Sequence, residues 1–339
     1  MFASLHHRWH TFQRHFALQP RHHRITEIVV GLLLLLWLTS FVLITRPHDQ
    51  YGHTNVLLLG VGDKDHDAAD LTDSMMIASI DPSTHSLVLL SIPRDLYLSE
   101  NDILPDERIN LLYANEKARI RKSTTITEKQ VSLQALKNVA QELGNKLGVE
   151  IHGVIKGDFT AFTKAVDRIG GLDIDVPALI IDNAYPLTEH TTGLFKIAAG
   201  RRHLDGATAL KYARTRHSGT DFDRSARQQQ ILEALSQKVR RMSRLHQFVF
   251  AVSLLSGAAE HVESTFSMPE LLGLARLGST LSRDRVQTVQ INFDLLVSGD
   301  PALYKGASVL LPASYPDDVS GWEHLRAFVQ DALRHRMSF

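Results

Sequence analysis

Apolar and polar positions along the chain change period several times, and each period predicts an element. Residues Ile28–Thr45, IVVGLLLLLWLTSFVLIT, are apolar and carry no charge. About 18 residues at ~1.5 Å rise span ~27 Å, enough for the hydrocarbon core of a bilayer. The run ends in TRPHDQYG, which lacks the small-residue site of a cleaved signal peptide, so we expect an uncleaved transmembrane helix. Asn55–Gly60, NVLLLG, is short and continuously apolar, the pattern of a strand buried on both faces. Ser74–Ile80 and Ser86–Ile92 are two more strand-like runs, and Asp81-Pro82-Ser83-Thr84 between them predicts the turn of a hairpin. Pro93 ends the second strand and leaves Arg94 and Asp95 at a strand end.

Helical periodicity follows. Arg108–Arg119 predicts a short helix, and Glu128–Leu147 a longer amphipathic one with Gly148 as its C-cap. His152–Lys156 reads as a strand. Asp158 is placed to cap a helix over Phe159–Ile169, which Gly170-Gly171 stops. Leu172–Val176 alternates apolar and acidic residues as an edge strand does. A polar loop leads to Asp205, a cap for Gly206–Ala213, and Phe222–Arg241 is the last strongly helical stretch. Strands alternating with helices predict an α/β fold: a three-layer α/β/α sandwich with a central mixed sheet, preceded by one transmembrane helix. Beyond His246 the pattern weakens, with helices over 248–256 and 269–277, a strand Val286–Ile291 and a helix Trp322–His335. The chain is thereby expected to comprise an N-terminal tail 1–27, the span 28–45, a main domain 50–245 and a C-terminal extension 246–339.

Composition alters this picture in three respects. The 37 Lys and Arg balance the 37 Asp and Glu among 339 residues, so a general nucleic-acid-binding surface is not expected. The chain has no cysteine, which excludes disulfides and Cys-based zinc sites. Arg8, Arg14, Arg21 and Arg24 precede the apolar run and only Arg46 follows it closely. The positive-inside rule then puts the N-terminus in the cytoplasm and the remaining chain outside a cell membrane. The cytoplasmic arm is too short for a helix-turn-helix, and its crowded histidines (His6, His7, His10, His15, His22, His23) read as a solvated tail.

Basic residues are local rather than global. Tyr212–Gln228, YARTRHSGTDFDRSARQ, holds Arg214, Arg216, Arg224 and Arg227 interleaved with Asp221 and Asp223. Arginine grips phosphate oxygens through two parallel N–H bonds. Arg224 and Gln228 stand one helical turn apart, while Arg227, three residues from Arg224, is placed toward solvent. The loop GVGDKDHDAADLTD carries Asp63, Asp65, Asp67, Asp70 and Asp73, hard oxygen donors suited to Mg²⁺. It lacks the glycine and final glutamate of an EF-hand. Asp65 and Asp67 read as solvated, whereas Asp73 abuts the run Met75–Ile80 and so sits at a strand start near the ligand edge of the sheet. A cation loop, an arginine at a strand end and a dense arginine cluster together suit a multiply charged phosphate ester. No nucleophile-elbow motif accompanies them.

Four blocks, NVLLLGVG…LTDSMMIASIDP, LLSIPRDLYL, GVIKGDFTAFTKAVDRIGGLDIDV and HLDGATALKYARTRHSGTDFDRSARQQQIL, lie in order over about Asn55–Glu233. Together they resemble the LytR-CpsA-Psr family of cell-wall glycopolymer ligases. The resemblance implies a single-pass membrane phosphotransferase with an extracytoplasmic α/β/α domain. It would move a glycopolymer from an undecaprenyl-pyrophosphate carrier to peptidoglycan, with the prenyl tail in a hydrophobic tunnel. Matched by motif, Arg94, Arg214, Arg216, Arg224 and Gln228 would bind pyrophosphate. Asp73 would hold Mg²⁺ (or Mn²⁺) with Asp63 as second carboxylate, ahead of Asp70. Arg94, Asp73 and Arg216 are the implied catalytic set, with Asp73 or Asp95 as an alternative base toward the acceptor hydroxyl. The chain departs from the family where Leu71-Thr72-Asp73 replaces Arg-Ser/Thr-Asp, so one arginine of the anion cradle is missing; His66 or Lys64 is its expected substitute. Two other readings use the same residues: a non-catalytic binder of lipid-linked glycan or envelope regulator, and a pyrophosphatase acting on the carrier.

Overall fold

The computed structural model describes residues 30–32, 47–63, 69–98, 108–186, 191–215, 221–243, 260–282, 284–291, 294–304, 306–313 and 319–334. Of the expected transmembrane run only residues 30–32 are described, as helix; its remainder, the tail 1–27 and the helix expected over 248–256 lie outside the described residues. Among the described residues no helix is long and apolar enough to cross a membrane. The chain divides into two units, Met1–Arg46 and Pro47–Phe339, and the second holds the sheet.

The centre of that unit is a mixed sheet. β1 (Thr54–Val61), β2 (Thr72–Asp81) and β3 (Ser86–Ile92) run as an antiparallel meander, and β4 (Gly153–Gly157) lies parallel to β1. Each residue of NVLLLG faces a helix layer on one side or the other, which is why the run is apolar without interruption. On one face Leu57, Ile77, Val88 and Leu90 pack against α1 (Leu112–Ser123) and α2 (Glu128–Leu147). On the other, Val56, Met76, Ala78 and Leu89 meet Phe266 and Leu271. The helix α2 spans the residues the sequence predicts and ends at Gly148 in the left-handed region; its start is fixed by a capping box between Thr127 and Gln130.

Asp158 caps α3 (Phe159–Arg168) and Asp205 caps α4 (Gly206–Arg214), each through its side-chain oxygen. With α5 (Asp221–Arg241) these helices enclose a second core. Its remaining wall is a pair of two-stranded ribbons: β5 (Leu172–Val176) with β8 (Gly200–Leu204), and β6 (Ile180–Pro186) with β7 (Thr192–Ile197). The sequence marks β5 but presents 177–204 as a polar loop. The reason is Asp182, fully buried at an inward position of β6, which breaks the alternation that identifies a strand.

The sequence also places a boundary near residue 245, yet the chain beyond it returns to the central sheet. β9 (Val262–Ser264) pairs with β4 and β10 (Val286–Gln290) with β3, so both edges of the sheet come from this segment. Leu271 of α6 (Met268–Thr280) covers one face, and Leu325 and Val329 of α7 (Val319–Leu333) pack on the opposite face.

The turn of the central hairpin carries a pH dependence. Burial pushes the pKa of Asp81 up, but bonds from the Ser83 and Thr84 hydroxyls and backbone amides together outweigh it and pull the carboxyl down to about 2. A carboxyl depressed in the folded state contributes stability above pH ~4, which is lost as pH falls toward 2. Asp81→Asn is therefore expected to cost ~2 kcal/mol at pH 7. Urea unfolding of the two proteins should converge between pH 4 and pH 2, where the parent loses what the variant never had.

Candidate active site

One end of the central sheet gathers the chemistry. Antiparallel pairing of Gly60 with Ser74 and of Met75 with Ile92, and parallel pairing of Gly60 with Gly157, bring together the ends of β1, β3 and β4 and the start of β2. Asp63, Asp73, Arg94 and Asp158 follow from those four termini. Ligands in α/β sheets bind at such an edge.

Pro93 ends β3 in a turn, with the Leu96 N–H on the Pro93 carbonyl. The turn is held from outside, because Asn110 N donates to the Arg94 carbonyl and Thr72 Oγ1 to the Asn110 carbonyl. The Arg94 guanidinium thereby lies along the sheet edge. Its Nη1 donates to Asp73 Oδ1 at 2.6 Å, and its Nε is 3.5 Å from Asp95 Oδ2. Arg108 binds the other oxygen of Asp95 at 3.3 Å. Asp73 is 45% exposed and Arg94 16%, so the pair is open to a ligand on the carboxylate side.

The acidic loop separates into distinct fates. Asp63 Oδ1 accepts the Thr160 N–H and Asp158 Oδ1 that of Ala161, so two carboxylates sit on the positive end of α3. Asp158 Oδ2 also lies 2.8 Å from His261 Nδ1. Asp70 turns away to Lys117, whose Nζ is 2.7 Å distant and also meets Glu128. Burial opposes the Lys117 charge, but the bond to Asp70, the charges of Tyr113 and Asp70 and the bond to Glu128 together outweigh it, and the lysine titrates above its ordinary value. Lys64, Asp65, His66 and Asp67 lie outside the described residues.

Beneath this edge a cavity of ≈ 680 Å³ opens between the sheet and α3, α4 and α5. Its wall is mainly apolar, with Leu58, Met76, Phe162, Leu210, Ala213 and Ile231. Asp73, Arg94, Arg214, Arg224 and Gln228 line the same cavity, so the structure brings these five sequence candidates together. Asp63 is near by chain connection but is not part of the lining, and Arg216 lies outside the described residues.

Arg214, at the end of α4, stacks its guanidinium on the Phe159 ring at 4.2 Å and stands 5.9 Å from that of Tyr185. Burial pushes the Tyr185 hydroxyl up, against the lowering effect of the Arg214 charge. The two aromatics are site residues that sequence reasoning passed over. Phe159 follows the cap Asp158 directly, and that position was its only signal. Arg227 requires a correction: it is 6% exposed rather than solvent-facing. Its Nη2 donates to the carbonyl of Thr215, the C-cap of α4, at 2.5 Å, and Thr215 Oγ1 donates to Asp182 Oδ2 at 2.5 Å. Arg227 thus ties α5 to α4 and β6 instead of joining the cavity lining.

Three cations around an apolar cavity suit an amphiphilic anion: a phosphate head on the arginines and a hydrocarbon chain below. Among the described residues no group of three or more His, Cys, Asp or Glu could enclose a metal ion. Asp63 and Asp73, two hard-oxygen donors at adjoining strand ends, fit the kind of site in which Mg²⁺ keeps water and shares phosphate oxygens.

The chain is similar in sequence and fold to proteins already known. The polyisoprenyl-teichoic acid–peptidoglycan teichoic acid transferase TagV of Bacillus subtilis (strain 168) is 27% identical over 266 residues, covering 77% of this chain and 60% of TagV. The corresponding transferase TagU of Oceanobacillus iheyensis is 25% identical over 250 residues, 73% of this chain and 69% of TagU. The chain thus spans about three-fifths of the length of the first of these relatives. In fold, the crystal structure of B. subtilis TagV superposes with a TM-score of 0.59 at 24% identity, covering 84% of this chain and 99% of that one. TagT bound to LIIa-WTA gives 0.59 at 19% identity, covering 86% and 94%. The LytR_cpsA_psr sequence profile matches residues 41–311, and with the mixed sheet and the arginine-lined cavity in place, the chain belongs to the LytR_cpsA_psr family.

Proposed function

We propose that this protein is a membrane-anchored phosphotransferase that moves a glycopolymer from an undecaprenyl-pyrophosphate carrier to peptidoglycan. The observation that carries the reading is the cavity itself: Arg94, Arg214, Arg224 and Gln228 line the same space as an apolar wall. A lipid pyrophosphate has the matching two parts. The uncharged run Ile28–Thr45 and the arginines before it support a single-pass anchor with a cytoplasmic N-terminus and the site outside the cell membrane.

In the reaction the acceptor hydroxyl attacks the sugar-linked phosphorus. A new P–O bond forms, the phosphoanhydride P–O bond breaks, and polyprenyl phosphate leaves with the electron pair. The arginines neutralise charge on the bridging oxygen and the leaving phosphate as it develops. Asp73, paired with Arg94 and open to solvent, is placed to take the hydroxyl proton. Asp63 and Asp73 would hold Mg²⁺ or Mn²⁺, which when bound adds positive charge at the pyrophosphate.

Incubating the full chain with Mg²⁺, a polyprenyl-pyrophosphate oligosaccharide and a peptidoglycan fragment should yield a phosphodiester-linked product and polyprenyl phosphate. Release of free saccharide phosphate with acceptor present would instead indicate a pyrophosphatase, and an unchanged lipid a binder. Phe159 offers a graded check. Phe159→Ala removes the face on which Arg214 rests, a stacking worth about 0.5–2 kcal/mol. The apparent KM for lipid substrate should rise about two- to thirtyfold, with kcat changed less.

A further inference from the structure

The solvent face of the β6–β7 ribbon carries large apolar side chains. Ile181 is 42% exposed and Leu194 66%, and Leu179, directly before β6, is 52% exposed. Register explains how they share a face. Ile181 pairs across the ribbon with Lys196, and Leu194 stands two residues from Lys196, so it falls on the same side. The opposite side, with Ile180, Phe195 and Ile197, is spent on the second core. The acid of this ribbon, Asp182, is buried on that inner side. Lys196 stays exposed on the outer face, and exposed Arg202 is pinned to the Ala198 and Ala199 carbonyls just beyond β7. Scattered apolar residues on a surface need no explanation, but a cluster flanked by cations does.

The same ribbon contributes Ala184, Pro186 and Thr192 to the lining of the apolar cavity. Outer face and cavity are therefore continuous through one element. We infer that the outer face of the β6–β7 ribbon is a bilayer-docking surface. Leu179, Ile181 and Leu194 enter the interfacial region, and Lys196 and Arg202 meet anionic headgroups. Docking there sets the cavity beside the membrane, so a hydrocarbon chain passes between lipid and protein without crossing water. This rests on the lipid-linked substrate proposed above.

The absence of cysteine makes single-site labelling of the full chain direct. Leu194→Cys and Leu303→Cys, the latter replacing an exposed leucine elsewhere (77%), would each carry an environment-sensitive fluorophore in nanodiscs of phosphatidylcholine and phosphatidylglycerol. Spin-labelled lipid should quench the probe at 194 several-fold more than the probe at 303. Equal quenching overturns the inference. A probe at 194 that is shielded from lipid, and more so at higher protein-to-lipid ratio, also overturns it by showing that a second copy covers the face. In a separate assay the double variant Ile181→Ser/Leu194→Ser should bind a short, soluble polyprenyl pyrophosphate in detergent as the parent does. It should lose at least about tenfold in transfer from liposome-embedded substrate, the effect expected from withdrawing two large apolar contacts. If the parent itself fails to bind the soluble pyrophosphate, the functional reading falls while the quenching pattern still decides the docking.

Discussion

Arg94→Ala is expected to lower glycopolymer transfer by about a thousandfold, or ~4 kcal/mol of transition-state stabilisation. Arg94 supplies positive charge at the strand end and fixes Asp73, whose Oδ1 it binds at 2.6 Å. Its loss would therefore remove a proposed phosphate ligand and release the carboxylate assigned to the acceptor proton. Arg94→Lys should recover only part of the rate, because an ammonium offers a point charge where the guanidinium spans Asp73 and Asp95. Folding should be little affected, since Asp73 is 45% exposed and tolerates an unpaired charge. Transfer kinetics with a radiolabelled lipid substrate, beside thermal unfolding of both variants, make the check. Wild-type transfer by the alanine variant would remove Arg94 from the site.

Asp182→Ala should have the opposite profile, costing ~3 kcal/mol of stability. Asp182 accepts from the Thr215 hydroxyl and the Ala184 amide in a fully buried position. Without it both donors lose their partner, and Thr215, whose carbonyl the buried Arg227 holds, is left without its side-chain anchor. The melting temperature should fall by about 6–10 °C. Because Thr215 directly follows Arg214, a destabilised cap also loosens the cation stacked on Phe159, so KM should rise in the molecules that remain folded. A calorimetric scan that leaves the variant within about 1 °C of the parent would show that the Asp182–Thr215–Arg227 link is not structural.

How far these features were legible from the residues depends on how local their causes are. The β2–β3 hairpin, the capped helix α2 and the proline at the end of β3 follow from short-range pattern and turn chemistry, and the structure reproduces each. Arg224 and Gln228 line one cavity because i, i+4 spacing fixes a shared helix face. Arg227 deceived because its burial depends on a carbonyl twelve residues earlier in the chain. The β6–β7 ribbon was invisible for a related reason. Its buried aspartate and its exposed Ile181 and Leu194 invert the hydrophobic-in, polar-out rule by which strands are read. Tyr185 gave no signal and Phe159 only its place after the cap Asp158, since an aromatic beside an arginine is recognised only once the fold has stacked them.

The edges of the central sheet bear on how the protein reaches its folded state. Val286 pairs with Leu87 and Val262 with Gly157, so the sheet cannot close until nearly the whole chain has been made available. Such distant, partly parallel pairing is slow to form. Until then β3 and β4 present open hydrogen-bonding edges flanked by apolar faces, a template for association with other chains. A chain that emerges from its N-terminal end must therefore wait for its last third with the site-bearing strands unprotected, and a version truncated near residue 245 would keep them so permanently.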